Sequence, residues 1–156
     1  MGVETYASSR RLEKSLRLQN ADLLMEYNLL EAGLARPKVK AADFVGKAAY
    51  LAQRERAHQP AYLCTLTMQD NIDANGVARY PVGSWPIMDP QSGAVLLDAQ
   101  GRRSFITSIA YGPSIGKNIA LAYLPFEYCQ EGRHLVMEYF SERYPLRAAA
   151  VGYEPL

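Results

Sequence analysis

Cysteine and histidine are scarce, with two of each in 156 residues. Cys64 and Cys129 stand far apart, so the even sets of closely spaced cysteines that mark small secreted domains are missing. Each thiol is therefore expected as a buried or partly buried side chain. Adding His58 and His134 leaves only Cys129 and His134 close in sequence, whereas zinc sites pair their ligands at short spacing in two clusters. No metal site is expected. Long apolar runs are lacking too: no window approaches roughly 18 consecutive apolar residues, so no membrane-spanning helix is expected. Neither sign of charge prevails, since 17 Lys+Arg face 16 Asp+Glu for a net charge of +1. Like charges run no further than Arg10-Arg11 and Arg102-Arg103, which leaves no electrostatic footprint for nucleic acid or an anionic membrane. The opening residues have neither a basic region nor an apolar stretch, and cytoplasm is the expected location.

What is present suffices for a core. At 49% hydrophobic content, one domain, or one domain plus part of a neighbour, is the natural reading. Asp43 opens the best helical pattern: it is a good N-cap, and Phe44, Ala48, Leu51 and Ala52 share a face at 3.6-residue spacing, predicting a helix over 43–57. Pro60 closes that segment. Beyond it the texture changes to short runs cut by Gly, Pro and Asn. Tyr62, Cys64, Leu66 and Met68 alternate with Leu63, Thr65 and Thr67 in one predicted strand, and Asn75-Gly76 is a turn signal. Further strands are predicted over 82–88, 94–97, 104–110, 119–124, 135–141 and 144–151. Short strands at this spacing point to a closed or nearly closed antiparallel β domain. The fold class is α+β: a helical lead-in over 1–59, then an antiparallel β-barrel over 60–156, predominantly β.

The residue chemistry is sparse. Gly112-Pro113-Ser114-Ile115-Gly116-Lys117-Asn118 only approximates a phosphate loop. Three residues separate the glycines, Asn118 replaces the magnesium-binding hydroxyl, and a strand-like run follows where a helix is needed. A turn between strands fits better. No Gly-x-Ser-x-Gly elbow is present. Glu13, Asp22, Glu26 and Glu31 form a loose acidic series, whose ordinary role is solvation or structural hydrogen bonding and whose alternative is acid–base work. Eleven tyrosines are many for this length, and most are expected as half-buried barrel residues.

Four blocks, in order, resemble one family. They are Ser9-Arg10-Arg11-Leu12-Glu13-Lys14; Ala21-Asp22-Leu23 with Glu26-Tyr27 and Leu30-Glu31-Ala32-Gly33-Leu34; Asp43-Phe44-Val45-Gly46-Lys47-Ala48-Ala49; and Thr107-Ser108, Tyr111-Gly112 and 117–125 (KNIALAYLP). Together they resemble the C-terminal part of glycine-cleavage T-protein (aminomethyltransferase) folate enzymes, nearest the dimethylglycine and sarcosine dehydrogenase branch. Four features depart from the pattern. Ala7 falls where glycine-cleavage members place an Arg, Arg10 replaces an apolar residue, Ser15 stands where glycine is usual, and Ile87–Arg103 is longer than their turn.

The resemblance implies that 1–59 is the tail of a folate-binding domain and 60–156 the barrel that packs on it. It implies tetrahydrofolate as cofactor, with FAD only in an upstream half, and one-carbon transfer from an N-methyl amine. It places the catalytic Asp in an upstream region that this sequence does not contain, so no catalytic residue is expected here and the chain is expected to be inactive alone. A missing N-terminal portion or partner subunit would complete it. The alternative is a non-catalytic barrel that oligomerises through an uncovered face. Four cofactor-side residues follow from the resemblance: Arg11 for a glutamate-tail carboxylate (otherwise an ion pair with Glu13 or a neighbour), Glu31 ordering a turn, and Tyr111 and Tyr123 at the rim of the folate opening or else in the barrel.

Overall fold

The computed structural model describes residues 6–36 and 38–151. Strands β1 (Ala61–Met68), β2 (Ile87–Met88), β3 (Ile106–Gly112), β4 (Lys117–Pro125), β5 (His134–Tyr139) and β6 (Glu142–Val151) form one sheet in the order β2-β5-β6-β1-β4-β3. Every neighbouring pair is antiparallel. The two outer strands then meet through a bridge between Pro86 and Phe105. There the Ile87 N–H donates to the Ser104 carbonyl at 3.0 Å and the Ile106 N–H to the Trp85 carbonyl at 2.8 Å. The sheet thus curls on itself, and the chain adopts the expected antiparallel, predominantly β architecture.

Two expectations need correction. The helix α1 runs only Lys47–Arg54, not 43–57, and Asp43 is not its cap. Gly46 precedes it at φ 84, a left-handed conformation that glycine adopts without steric cost and that ends helical geometry on the N-terminal side. No residue of α1 is buried, so no packing stabilises a longer helix. The strands expected over 82–88 and 94–97 shrink to the two residues of β2 and to single bridges, Met88–Val95 and Leu97–Arg103. Turn chemistry cuts them short. The Asp89 carboxylate accepts from the Gln91 and Ser92 N–H groups, and the Asp98 carboxylate from those of Gln100 and Arg102. The Gly112–Lys117 loop is the β3–β4 turn, closed by the Gly116 N–H donating to the Gly112 carbonyl at 2.9 Å.

Strand parity divides the apolar residues between two cores. Cys64, Leu66 and Met68 of β1 and Ala120, Ala122 and Leu124 of β4 face inward with Ile87, Ile106, Leu135, Met137 and Leu146. Ile119, Leu121 and Tyr123 of β4, together with Leu63 of β1, face outward and pack against Leu12, Leu23, Tyr27 and Ala32 of the lead-in. Burying a leucine in either core contributes about 1.5–3 kcal/mol. Because both faces are covered, eight consecutive residues of β4, Asn118 to Pro125, are buried. Residues 9–34 therefore form a layer on the outside of the barrel. Within that layer Ser15 takes φ 52, the left-handed region that suits a glycine, while its hydroxyl lies 2.7 Å from that of Thr65.

Candidate functional site

The lead-in is fastened to the barrel by a polar network centred on Asp22, which is fully buried. Its carboxylate accepts from Arg11 Nη1 at 2.6 Å, from the Leu18 N–H at 2.9 Å and from the Thr107 hydroxyl of β3 at 2.6 Å. The Asp22 carbonyl accepts from the Tyr123 hydroxyl of β4 at 2.8 Å. Arg11 spends its remaining donors within the chain: Nε on the Ala7 carbonyl, Nη1 also on the Leu16 carbonyl, Nη2 on the Ser108 hydroxyl. Its ion-pair partner is thus Asp22. Glu13 instead accepts from the backbone N–H and hydroxyl of Ser114, bracing the β3–β4 turn. A guanidinium and two further donors stand in for the water that this buried carboxylate gives up.

A layered stack continues from this centre. The Tyr123 ring lies on the Tyr27 ring with centroids 3.6 Å apart and planes 1° from parallel. Above Tyr27 sits the Arg102 guanidinium, 4.1 Å from the ring centroid, a cation–π geometry. Arg102 comes from the 87–103 excursion; it ion-pairs with Glu31, and its Nε donates to Asp98 at 2.7 Å. Burial works against the Arg102 charge, but the hydrogen bonds to Glu31 and Asp98 outweigh it and hold the guanidinium above its ordinary value. Burial, opposed by Arg102, pushes the Tyr27 phenol up to about 12. Burial raises the Tyr123 phenol as well, with Tyr27 and Asp22 adding to the rise. Neither phenol ionises near neutral pH, so the stack acts as a rigid, uncharged wall with Arg102 as its charged cover. Glu31 also orders its own turn, accepting from the Asn28 N–H at 2.8 Å while its carbonyl accepts from the Leu63 N–H of β1.

Three of the four residues singled out in the sequence, Arg11, Glu31 and Tyr123, thus belong to one connected network. Tyr111 does not: it sits on β3 opposite Asn118 and is 43% exposed. Sequence reading missed Tyr27, Arg102, Asp98 and Thr107 as network members, and it named Asp22 only within an acidic series. One further cation borders the site. Arg17 donates to the Ser15 carbonyl at 3.3 Å through Nη1, while its Nε is buried without a hydrogen-bond partner. A separate cleft of about 350 Å³ at the β5–β6 turn is lined by Arg79, Tyr139, Phe140, Glu142 and Tyr144, none of them part of this network. Among the described residues no group of three or more His, Cys, Asp or Glu is placed to hold a metal ion, and no helix is long and apolar enough to cross a membrane.

The architecture has known counterparts. Residues 84–151 match the family model of the glycine cleavage T-protein C-terminal barrel domain. The chain is 30% identical over 155 residues to the mitochondrial dimethylglycine dehydrogenase of Rattus norvegicus, covering 97% of this chain and 16% of that protein. It is 35% identical over 129 residues to an aminomethyltransferase of Desulfitobacterium hafniense, covering 80% of this chain and 30% of that protein. The crystal structure of glycine cleavage system aminomethyltransferase T from Bartonella henselae superimposes with a TM-score of 0.65 at 26% identity, over 90% of this chain and 36% of that one. The chain therefore spans between 16% and 36% of the length of these relatives. Family model, relatives and barrel agree: the chain carries the C-terminal barrel domain of the glycine cleavage T-protein family.

Proposed function

We propose that this chain forms the C-terminal barrel side of a tetrahydrofolate-dependent one-carbon transfer enzyme of the dimethylglycine/sarcosine dehydrogenase type, and that it turns over only with additional polypeptide. The observation that carries this reading is the near end-to-end likeness to a dimethylglycine dehydrogenase, 97% of this chain against 16% of that protein. Tetrahydrofolate, when bound, supplies a nucleophilic nitrogen that takes up the one-carbon unit. Any flavin chemistry belongs, in this reading, to a separate upstream half.

The residues present fit half of such a site. Arg11 and Glu31 are engaged by protein partners and Tyr123 is covered by Tyr27, so these three serve as the frame that holds the lead-in against the barrel. Tyr111, half exposed at the end of β3, is the one of the four free to border a flat ligand, and Arg17 Nε is a buried donor that still needs an acceptor. The opposite wall must come from outside these residues. Met25, Leu29, Phe44, Val45 and Leu51 support that view, being exposed apolar side chains on the lead-in and α1.

The test combines the chain with the upstream portion of a dimethylglycine dehydrogenase relative and measures methylene-tetrahydrofolate formed from an N-methyl amine. The chain alone is expected to give none, and the mixture to exceed the upstream portion alone. Equal rates with and without the chain would refute the proposal. The same apolar residues favour a second reading, in which the chain self-associates as a non-catalytic module. A single 17.4 kDa species in sedimentation at high concentration would exclude it.

A further inference from the structure

We infer that Cys129 and Cys64 are a peroxide-reactive thiol and its resolving partner, a site at which an oxidant closes an intramolecular disulfide inside the barrel. Cys64 sits on β1 between Ala122 of β4 and Val151 of β6, with its side chain fully buried in the inner core. Cys129 follows the short helical turn Phe126–Tyr128 after β4; it packs against the same core but remains partly exposed. The two sulfurs lie 3.7 Å apart although 65 positions separate the residues in sequence. A disulfide holds its sulfurs about 2.05 Å apart, so rotation of the two thiol arms closes the remaining distance of roughly 1.7 Å.

The surroundings assign the order of events. Only Cys129 is open to solvent, so a peroxide reaches it first. Its sulfur lies 3.2 Å from both the Leu124 and the Pro125 carbonyl oxygens, either of which accepts its single thiol proton, and this fixes the sulfur beside Cys64. The Cys64 thiol reaches both the Tyr62 carbonyl at 3.4 Å and the Cys129 sulfur. In the first step Cys129 sulfur attacks a peroxide oxygen: an S–O bond forms, the O–O bond breaks, the thiol proton passes to the departing oxygen, and one water leaves. In the second, Cys64 sulfur attacks the sulfenic sulfur: the S–S bond forms, the S–O bond breaks, and the hydroxyl leaves with the Cys64 proton as a second water. Two thiols lose two electrons in total, and one hydrogen peroxide becomes two waters. Burial of Cys64 keeps bulk oxidant from it, while its closeness intercepts the sulfenic acid before further oxidation. Nothing in the sequence spacing announces this pair, because the fold alone brings the cysteines together.

The test exposes the folded chain to hydrogen peroxide, digests it without reductant and maps the peptides by mass spectrometry. The expected product is a Cys64–Cys129 linked peptide pair within one chain, about two daltons lighter than the two thiol peptides and restored by dithiothreitol. In Cys64→Ala the sulfenic acid on Cys129 should accumulate several-fold over wild type, trapped by dimedone, and proceed to sulfinic acid. In Cys129→Ala, Cys64 should stay unmodified under the same exposure. Should Cys64→Ala fail to fold, Cys64→Ser is read in its place. Sulfinic acid at Cys129 of the wild type without the link, a link only between two chains, or Cys64 oxidised equally fast when Cys129 is replaced would each overturn the inference.

Discussion

Two stretches ahead of the barrel, residues 9–34 and 35–58, behave as opposites. The first has little regular secondary structure, yet it is held by the Asp22 network, by Glu31 against β1 and by a layer of buried side chains including Leu12 and Ala32. The second contains α1, the most regular element outside the barrel, and no residue of α1 is buried. Local regularity and docking are therefore separate properties here. An amphipathic helix offers a face, but only a complementary surface makes that face stabilising, whereas an irregular segment with the right buried polar partners can be firmly seated.

Substitutions can break or sharpen that contrast. The largest effect is expected from Asp22→Asn, which strands the Arg11 charge in the interior; unfolding by urea should show a loss of about 3–5 kcal/mol. A loss below about 1 kcal/mol would mean that the network is not what seats the lead-in. Tyr123→Phe removes the donor to the Asp22 carbonyl but keeps the ring on Tyr27, and the expected cost is about 1–3 kcal/mol. An alkaline titration probes the same stack. The Tyr27 phenol is raised from 10.0 to about 12, so the folded chain holds this proton more tightly than the unfolded one. Its stabilising contribution is complete below pH 10 and is lost as pH climbs toward about 12. Tyrosinate absorbance should therefore rise in two stages, with the stacked pair appearing late and together with unfolding. The smallest effect is expected at Leu51→Ser on α1, within about 0.5 kcal/mol of wild type, with α1 amides exchanging far faster than those of β4. Protection of α1 amides matching that of β4 would erase the contrast.

Much of the barrel was legible. The alternation in β1 and the continuous apolar run of β4 each mark a strand, and the run in β4 reads correctly because that strand is covered on both sides. The 82–97 stretch was not legible, since side-chain turns at Asp89 and Asp98 override the apolar residues between them. The helix was overextended because Asp43 looks like a cap, while Gly46, inside the predicted span, decides where the helix starts. For the site, ordered motifs pointed to Arg11, Glu31 and Tyr123, yet their partners were invisible. Arg11 meets Ser108 from 97 positions away and Glu31 meets Arg102 from 71, distances over which spacing in one sequence carries no information.

The double covering of β4 also bears on how the chain tolerates being cut. Severing the polypeptide near residue 60 would leave the barrel's hydrogen-bonded ladders formally intact. It would also lay Ile119, Leu121 and Tyr123 bare as a greasy stripe along the middle of a sheet, beside Leu63. Such a stripe invites clumping with other copies. Residues 9–34 thus keep the middle of the sheet covered, and the smallest unit that does so is larger than the matched region 84–151.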